Sequence, residues 1–449
     1  MLRAVYRAVW WLVAPAAVVR LLLRSRRERG YREHIGERFG WYGPALDARR
    51  GPDDRAPLIW VHAVSVGETR AAQPLIEALL AARPDAKLLV THMTPGGRAM
   101  SEQLFGGRVL RAYLPYDMPH LVRRFLRTWR PTLGLVMETE VWPTLIDECK
   151  RADVPLVLTN ARMSARSFRR ASKFGAAAHE VYGGFSRVLA QSPADAERLG
   201  ALGARSIAVL GNLKFDMTTP PELAARGRAW RDAIGSRPVW VAASTREGEE
   251  ALVLQALHAL KVPDALLILV PRHPQRFDEV AALVERAGLS LARRSAWAPR
   301  GAAQAAAGQV PPALAADVRV LLGDSMGELG AYYAAADAAF IGGSLLPLGG
   351  QNLIEACAVG VPVLIGPHVF NFTQATADAV AAGAAEQVPD PAALAVALDT
   401  LFSDAARRIA MGAAGAAFAA RHRGATARTV EVLMALLPAA EAGADGSDG

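Results

Sequence analysis

Cysteine is scarce in this chain of 449 residues: Cys149 and Cys357 stand far apart and in no C-x-x-C arrangement. That excludes a disulfide framework and a thiolate zinc site, and it fits a reducing compartment. Neither G-x-G-x-x-G nor G-x-x-x-x-G-K-[ST] occurs at a suitable place, which argues against a dinucleotide dehydrogenase or a P-loop NTPase. No cluster of His, Cys and acids has metal-ligand spacing. Charge of one sign is also short outside the amino terminus. The formal charge is +8, yet residues 1–30 hold seven arginines (Arg3, Arg7, Arg20, Arg24, Arg26, Arg27, Arg29) against Glu28 alone, leaving +2 for the rest. A nucleic-acid groove needs basic residues along the folded body, so no nucleic-acid partner is expected. What the chain does have is core: 52% hydrophobic and 21% charged residues exclude disorder, and the length allows two or three domains.

From Ala8 to Val19 the sequence carries no charge, with Trp10 and Trp11 near its start and an arginine cluster after Leu21-Leu22-Leu23. Twelve residues are too few to span a bilayer core, which needs about 20. The segment reads as an interfacial or anchoring helix whose basic flank keeps the body on the cytoplasmic side. A cleaved signal peptide fits less well, because no small-residue cleavage site follows. A terminal helix packed on its own domain is the remaining alternative, since apolar periodicity does not name its partner.

Short β-rich runs alternate with helical stretches: Leu58 to Val64, Lys87 to Thr91, Leu133 to Glu138, Val154 to Asn160, Arg187 to Gln191 and Ile207 to Leu210. After Thr218-Thr219-Pro220-Pro221 the alternation resumes with Val239 to Ala243, Ala265 to Val270, Val318 to Leu321, Ala338 to Ile341 and Val361 to Ile365. This predicts two open α/β domains. The expected organisation is an anchor at 1–30, a first domain at 31–216, a linker at 217–236, a second domain at 237–438 and a solvated tail at 439–449; the alanine-rich 301–308 is expected to be a loose loop. Ligands of such sheets sit at the carboxyl ends of strands, which places a site in a cleft between facing domains.

Residues just past the strands carry the chemistry. Glu68, in Ser65-Val66-Gly67-Glu68, falls in a first helical turn, where it is either a charge suited to the helix dipole or a proton acceptor. Glu138 and Glu140 leave another strand; they either cap the helix after Pro143 or belong to a site that manages protons or a developing cation. Lys214, in Asn212-Leu213-Lys214-Phe215-Asp216, either lines the site or pairs with Asp216. In the second half, Pro271-Arg272-His273-Pro274 presents a guanidinium fork suited to phosphate. Gly342-Gly343-Ser344 and Gly349-Gly350 lead into Gln351-Asn352-Leu353-Ile354-Glu355, a helix opening whose N–H groups suit an anion, with Glu355 placed to accept ribose hydroxyls.

These segments resemble the Kdo (3-deoxy-D-manno-octulosonic acid) transferases of lipopolysaccharide synthesis. The resemblance runs from Gly36-Glu37-Arg38-Phe39-Gly40 to Gly366-Pro367-His368-Val369-Phe370-Asn371-Phe372, through HAVSVGE, LPYDMP, METEVWP, NARMSARS, GNLKFD, VPRHP, GDSMGEL, GGS and GGQNLIEA in order. It implies a GT-B fold of two Rossmann-like domains, donor on the second and acceptor on the first. By position it makes Glu68 the general base and gives Glu138 and Lys214 a part in stabilising the transition state. It puts CMP against Pro271, Arg272, Met326, Gly327, Glu328, Asn352, Leu353, Ile354 and Glu355. The implied donor is CMP-Kdo and the implied acceptor lipid IVA, the tetra-acylated lipid A precursor. The implied transfer is inverting and metal-free, and the implied location is the cytoplasmic face of the inner membrane. Gln351 and Arg246 stand where the family usually has His, so neither is given a role. The alternatives are another GT-B glycosyltransferase or nucleotide-sugar epimerase, or a non-catalytic membrane-associated nucleotide-binding protein, which would not need the Glu68 and Glu138 pair.

Overall fold

The computed structural model describes residues 6, 10, 16, 19–26, 29–43, 56–217, 219–297 and 311–438. The chain forms two compact units, 1–217 with 423–449, and 218–422. In the first unit the strands are β1 Leu58–His62, β2 Lys87–His92, β3 Leu110–Tyr113, β4 Leu133–Met137, β5 Leu156–Ala161, β6 Arg187–Ala190 and β7 Ile207–Val209. They form one parallel sheet in the order β3-β2-β1-β4-β5-β6-β7. The second unit has β8 Val239–Thr245, β9 Leu266–Pro271, β10 Leu291–Arg293, β11 Val320–Leu322, β12 Ala338–Ile341, β13 Val363–Ile365 and β14 Ala385–Gln387. These are parallel too, in the order β10-β11-β9-β8-β12-β13-β14.

The central strands are buried along their whole length because helices cover both faces, so they read as continuous apolar runs. Trp60 of β1 lies against Gly134 of β4. A Cβ at Gly134 would stand 2.7 Å from Leu156 and 2.9 Å from Trp60, and that closeness is what glycine supplies there. Three strands, β3, β10 and β14, were not foreseen; the last two are three residues long and carry charged or polar side chains at the sheet edges, where a buried run is not required.

Two boundaries need correction. The stretch expected as a linker, 217–236, instead holds the helix Pro221–Ile234, which buries Trp230 in the second unit. The second domain also ends at 422 rather than 438. The helix Ala425–Met434 returns to the first unit and packs Ala425 and Leu433 with Ala72, Leu75, Ile76 and Leu79 of the helix Val66–Ala82. The 301–308 loop and the 439–449 tail lie outside the described residues.

Most of the uncharged stretch from Ala8 to Val19 also lies outside the described residues. The Tyr6 hydroxyl donates to Asp117 (2.8 Å), and Trp10 packs on Tyr116, so these residues rest on their own unit. Leu21 and Ser25 are buried, whereas Val19, Leu22 and Leu23 are exposed. Among the described residues no helix is long and apolar enough to cross a membrane.

Asp216 ties the returning helix down by accepting the Gly424 and Thr426 N–H groups, both at 2.6 Å. Asp216→Ala should therefore cost about 1–2 kcal/mol in urea unfolding and speed amide exchange across 425–434. Unchanged exchange there would show that apolar packing alone holds the helix.

Candidate active site

In the first unit the strand order reverses between β1 and β4, and side chains leaving those two strands share the space above them. The turn after β1 is rigid. The Val64 carbonyl accepts the Met93 and Thr94 N–H groups and the Thr94 hydroxyl, while the Ala63 N–H donates to Thr91 and the His92 ring to the Ala63 carbonyl. His62 and His92 are buried and neutral, held by burial at about 3 and about 4, so both support the turn rather than exchange protons near neutral pH.

From this turn Glu68 folds back to accept the Val64 N–H (2.8 Å). Burial raises its carboxyl to about 8 against that hydrogen bond, with Glu140 and Glu138 pushing the same way and Lys214 opposing. Glu138 follows β4 in the left-handed region, φ +54°, uncommon for a residue with a side chain. Its N–H donates to Thr159 and its carbonyl accepts from Arg162, which fixes the turn. Lys214 Nζ lies 2.8 Å from Glu138 Oε1, both half-buried. Glu140 is raised by burial, partly offset by the Trp142 indole N–H (2.9 Å).

The structure thus brings Glu68, Glu138, Glu140 and Lys214 together. Lys214 pairs with Glu138, while Asp216 accepts the Gly424 and Thr426 N–H groups of the terminal helix. The two acids after β4 do not cap the helix Pro143–Arg151; Asp117 takes its Thr144 and Leu145 N–H groups. Sequence reading missed Asn160 and Asn212, whose side chains accept the Leu213 and Lys214 N–H groups and so seat the lysine. The signal was an asparagine ending a strand (φ +52° for Asn160) and another opening a 3₁₀ turn.

In the second unit the order reverses between β8 and β12, and the segments after β11, β9, β8 and β12 adjoin. Pro271 ends β9, and the Arg272 N–H donates to the Thr245 carbonyl (2.9 Å). Buried Glu249 accepts the Gly343, Ser344 and Leu345 N–H groups (2.5–3.0 Å), so the donors of the first glycine turn are taken up within the protein, apart from the helix opening at 351–355 where an anion was expected. The Glu328 carboxylate, expected against CMP, is engaged by Arg226 (2.7 Å), Arg294 (2.8 Å) and Ser325. Asn352 caps the helix Ile354–Val359 through the Ile354 N–H and donates to Glu355 (3.1 Å); Leu353 and Ile354 are buried behind them. Arg246 and Gln351 both flank Gly343, so the two departures from the family pattern are neighbours. Among the described residues no group of three or more His, Cys, Asp or Glu side chains is placed to hold a metal ion.

Residues 33–217 match the family described as 3-deoxy-D-manno-octulosonic-acid transferase (kdotransferase), and 313–418 match glycosyl transferases group 1. The chain is 47% identical over 445 residues to a 3-deoxy-D-manno-octulosonic acid transferase of Bordetella pertussis, covering 96% of this chain and 98% of that protein. It is 35% identical over 443 residues to the Haemophilus influenzae protein of the same name, covering 97% and 99%. Among solved structures, Anabaena HepE in complex with UDP superposes with a TM-score of 0.56 at 16% identity, covering 84% of this chain and 100% of that one. That likeness shows the fold: two parallel-sheet α/β domains of the GT-B kind.

The raised Glu68 carboxyl has a thermodynamic signature. Between the ordinary value of 4.5 and about 8 the folded chain holds a proton that the unfolded chain has released. Its contribution therefore falls as pH rises through that window and levels off above it. Thermal melts of Glu68→Gln should approach, then exceed, wild-type stability progressively from pH 4.5 to 8. A stability difference independent of pH would refute the raised value.

Proposed function

The chain belongs to the 3-deoxy-D-manno-octulosonic acid transferase family of glycosyltransferases of lipopolysaccharide biosynthesis, and from that premise we propose that it transfers Kdo from CMP-Kdo to the 6′-hydroxyl of lipid IVA by a metal-independent inverting displacement. The observation that carries this reading is the meeting of Glu68, Glu138 and Lys214 above the reversal in strand order of the first unit. Glu68 removes the proton of the hydroxyl as its oxygen attacks the anomeric carbon of Kdo. The bond to CMP breaks on the opposite face, and CMP leaves with the bonding pair. A base whose conjugate acid sits near 8 is strong enough for this and still ionises in neutral solution. Glu138, held by Lys214, faces the positive character that grows on the sugar. Arg272 answers the charge on the departing phosphate, with the backbone of 326–328 and Asn352 to Glu355 holding the nucleotide. Exposed Val19, Leu22 and Leu23, beside Arg20 and Arg24, suit contact with the cytoplasmic face of the inner membrane, where an acylated acceptor resides.

In the presence of excess chelator, the wild type should add Kdo to lipid IVA, counted by mass spectrometry. Under the same conditions Glu68→Gln should lose about 10²-fold or more in turnover while still binding CMP. Near-normal turnover of the variant would remove Glu68 as the base, and a strict divalent-ion requirement would remove the metal-free mechanism. On the donor side, Arg272→Ala should weaken CMP-Kdo binding by about 10-fold or more, and lysine should restore only part of it. Calorimetry giving wild-type affinity in both variants would take Arg272 out of the site.

A further inference from the structure

From Val154 to His179 the chain contains no acidic residue, while Arg162, Arg166, Arg169, Arg170 and Lys173 fall within twelve positions. The basic part of this stretch begins beside Glu138, because the Arg162 N–H donates to the Glu138 backbone carbonyl (3.2 Å). Its path is then fixed. The Met163 N–H goes to Asp195 (2.7 Å), the Met163 carbonyl accepts from Arg198 (2.9 Å), and Ser164 caps the helix Ala165–Ala171 through the Ser167 N–H (3.1 Å). Phe168 and Ala171 pack against the core of the first unit, which turns Arg166, Arg169, Arg170 and Lys173 to solvent. None of these four has an ion-pair or hydrogen-bond partner for its charged group among the described residues. Beside them Phe174 is 58% exposed. Unpaired cations along a short helix repel one another, a cost that an anion bound across them offsets.

We propose that this segment is the site on the first unit for the phosphate groups of the acceptor, with Arg166, Arg169 and Arg170 supplying guanidinium forks and Phe174 an apolar contact for the attached lipid. The inference rests on the acceptor reading above. Position favours it over a second arginine-rich feature of the unit, a cavity of about 520 Å³ lined by Arg123, Arg127, Arg130 and Arg151. That cavity opens where β4 and β5 begin, one strand length or about 17 Å from Glu138, and the buried Glu148 inside it already pairs with Arg151 (2.5 Å). The helix Ala165–Ala171 starts three residues past Arg162, at the end of the strands where the hydroxyl must react.

The test is the triple variant Arg166→Ala, Arg169→Ala, Arg170→Ala, assayed in detergent micelles with lipid IVA and with the same lipid stripped of its phosphates. The KM for lipid IVA should rise about tenfold or more with kcat within about twofold, while the KM for CMP-Kdo and the melting temperature stay at wild-type values. On the dephosphorylated lipid, variant and wild type should be equal. Equal loss on both lipids, no loss on either, or a loss seen in vesicles and absent in micelles would each overturn the inference; the last would make these arginines contacts for membrane headgroups. Binding of both lipids to Glu68→Gln protein separates this inference from the one beneath it. Phosphate-dependent binding without Kdo transfer by the wild type would sink the transferase reading alone, and transfer without phosphate-dependent binding would sink this one alone.

Discussion

The ion pair between Lys214 and Glu138 depends on the chain crossing back over its own sheet. Lys214 follows β7, at one edge, whereas Glu138 follows β4, at the centre. The distance is closed by side chains that are not themselves chemical actors. Asn160 at the end of β5 takes the Leu213 N–H, Asn212 takes the Lys214 N–H, and Asp216 fastens the far side to the terminal helix. A lysine on a flexible four-carbon stem becomes a fixed charge only when its backbone is fixed first. The strained backbone of Glu138 serves the same end, since its N–H and carbonyl are both tied to β5 and the residue that follows it.

Three carboxyl groups and one ammonium share this half-buried space, and they cannot all be charged at low cost. Lys214 stands against Glu138; among the described residues Glu140 is met by an indole N–H and Glu68 by a backbone N–H. Desolvation, helped by the like charges nearby, pushes the proton onto Glu68 in the resting protein. The unequal environments therefore set Glu68 apart: it holds a proton that it releases within the physiological range, while Glu138 lies against the Lys214 ammonium.

Much of this was legible in the residues because parallel strands buried on both faces leave long apolar runs, and the residue after such a run is the one that meets a ligand. Glu68, Glu138 and Arg272 were singled out that way, and each does follow a strand of its sheet. The unforeseen strands β10 and β14 lack the run. The choice between Asp216 and Glu138 as the partner of Lys214 could not be made from adjacency, since Glu138 is 76 positions away in the chain while Asp216 is two. Glu249 escaped notice for a similar reason: a glutamate at the start of a helix looks like an ordinary dipole partner, and only the fold brings Gly343 and Ser344 over it. The amino-terminal segment was ambiguous because an apolar side chain fits lipid and protein equally well, and its residues divide accordingly, with Trp10 on protein and Leu23 exposed.

The return of the helix Ala425–Met434 to the first unit has a consequence for the order in which the molecule is made. The second unit is continuous in sequence, an insertion between Met217 and Arg423, and has all its strands once that stretch has emerged from the ribosome. The first unit, though begun earlier, must wait with Leu75, Ile76 and Leu79 lacking their cover and Asp216 lacking the two amides it will bind. Translation at about 5–20 residues per second makes that wait about 10–40 s for the intervening two hundred residues. The half that opens the sequence is the last to close, and the seat of Lys214 closes with it.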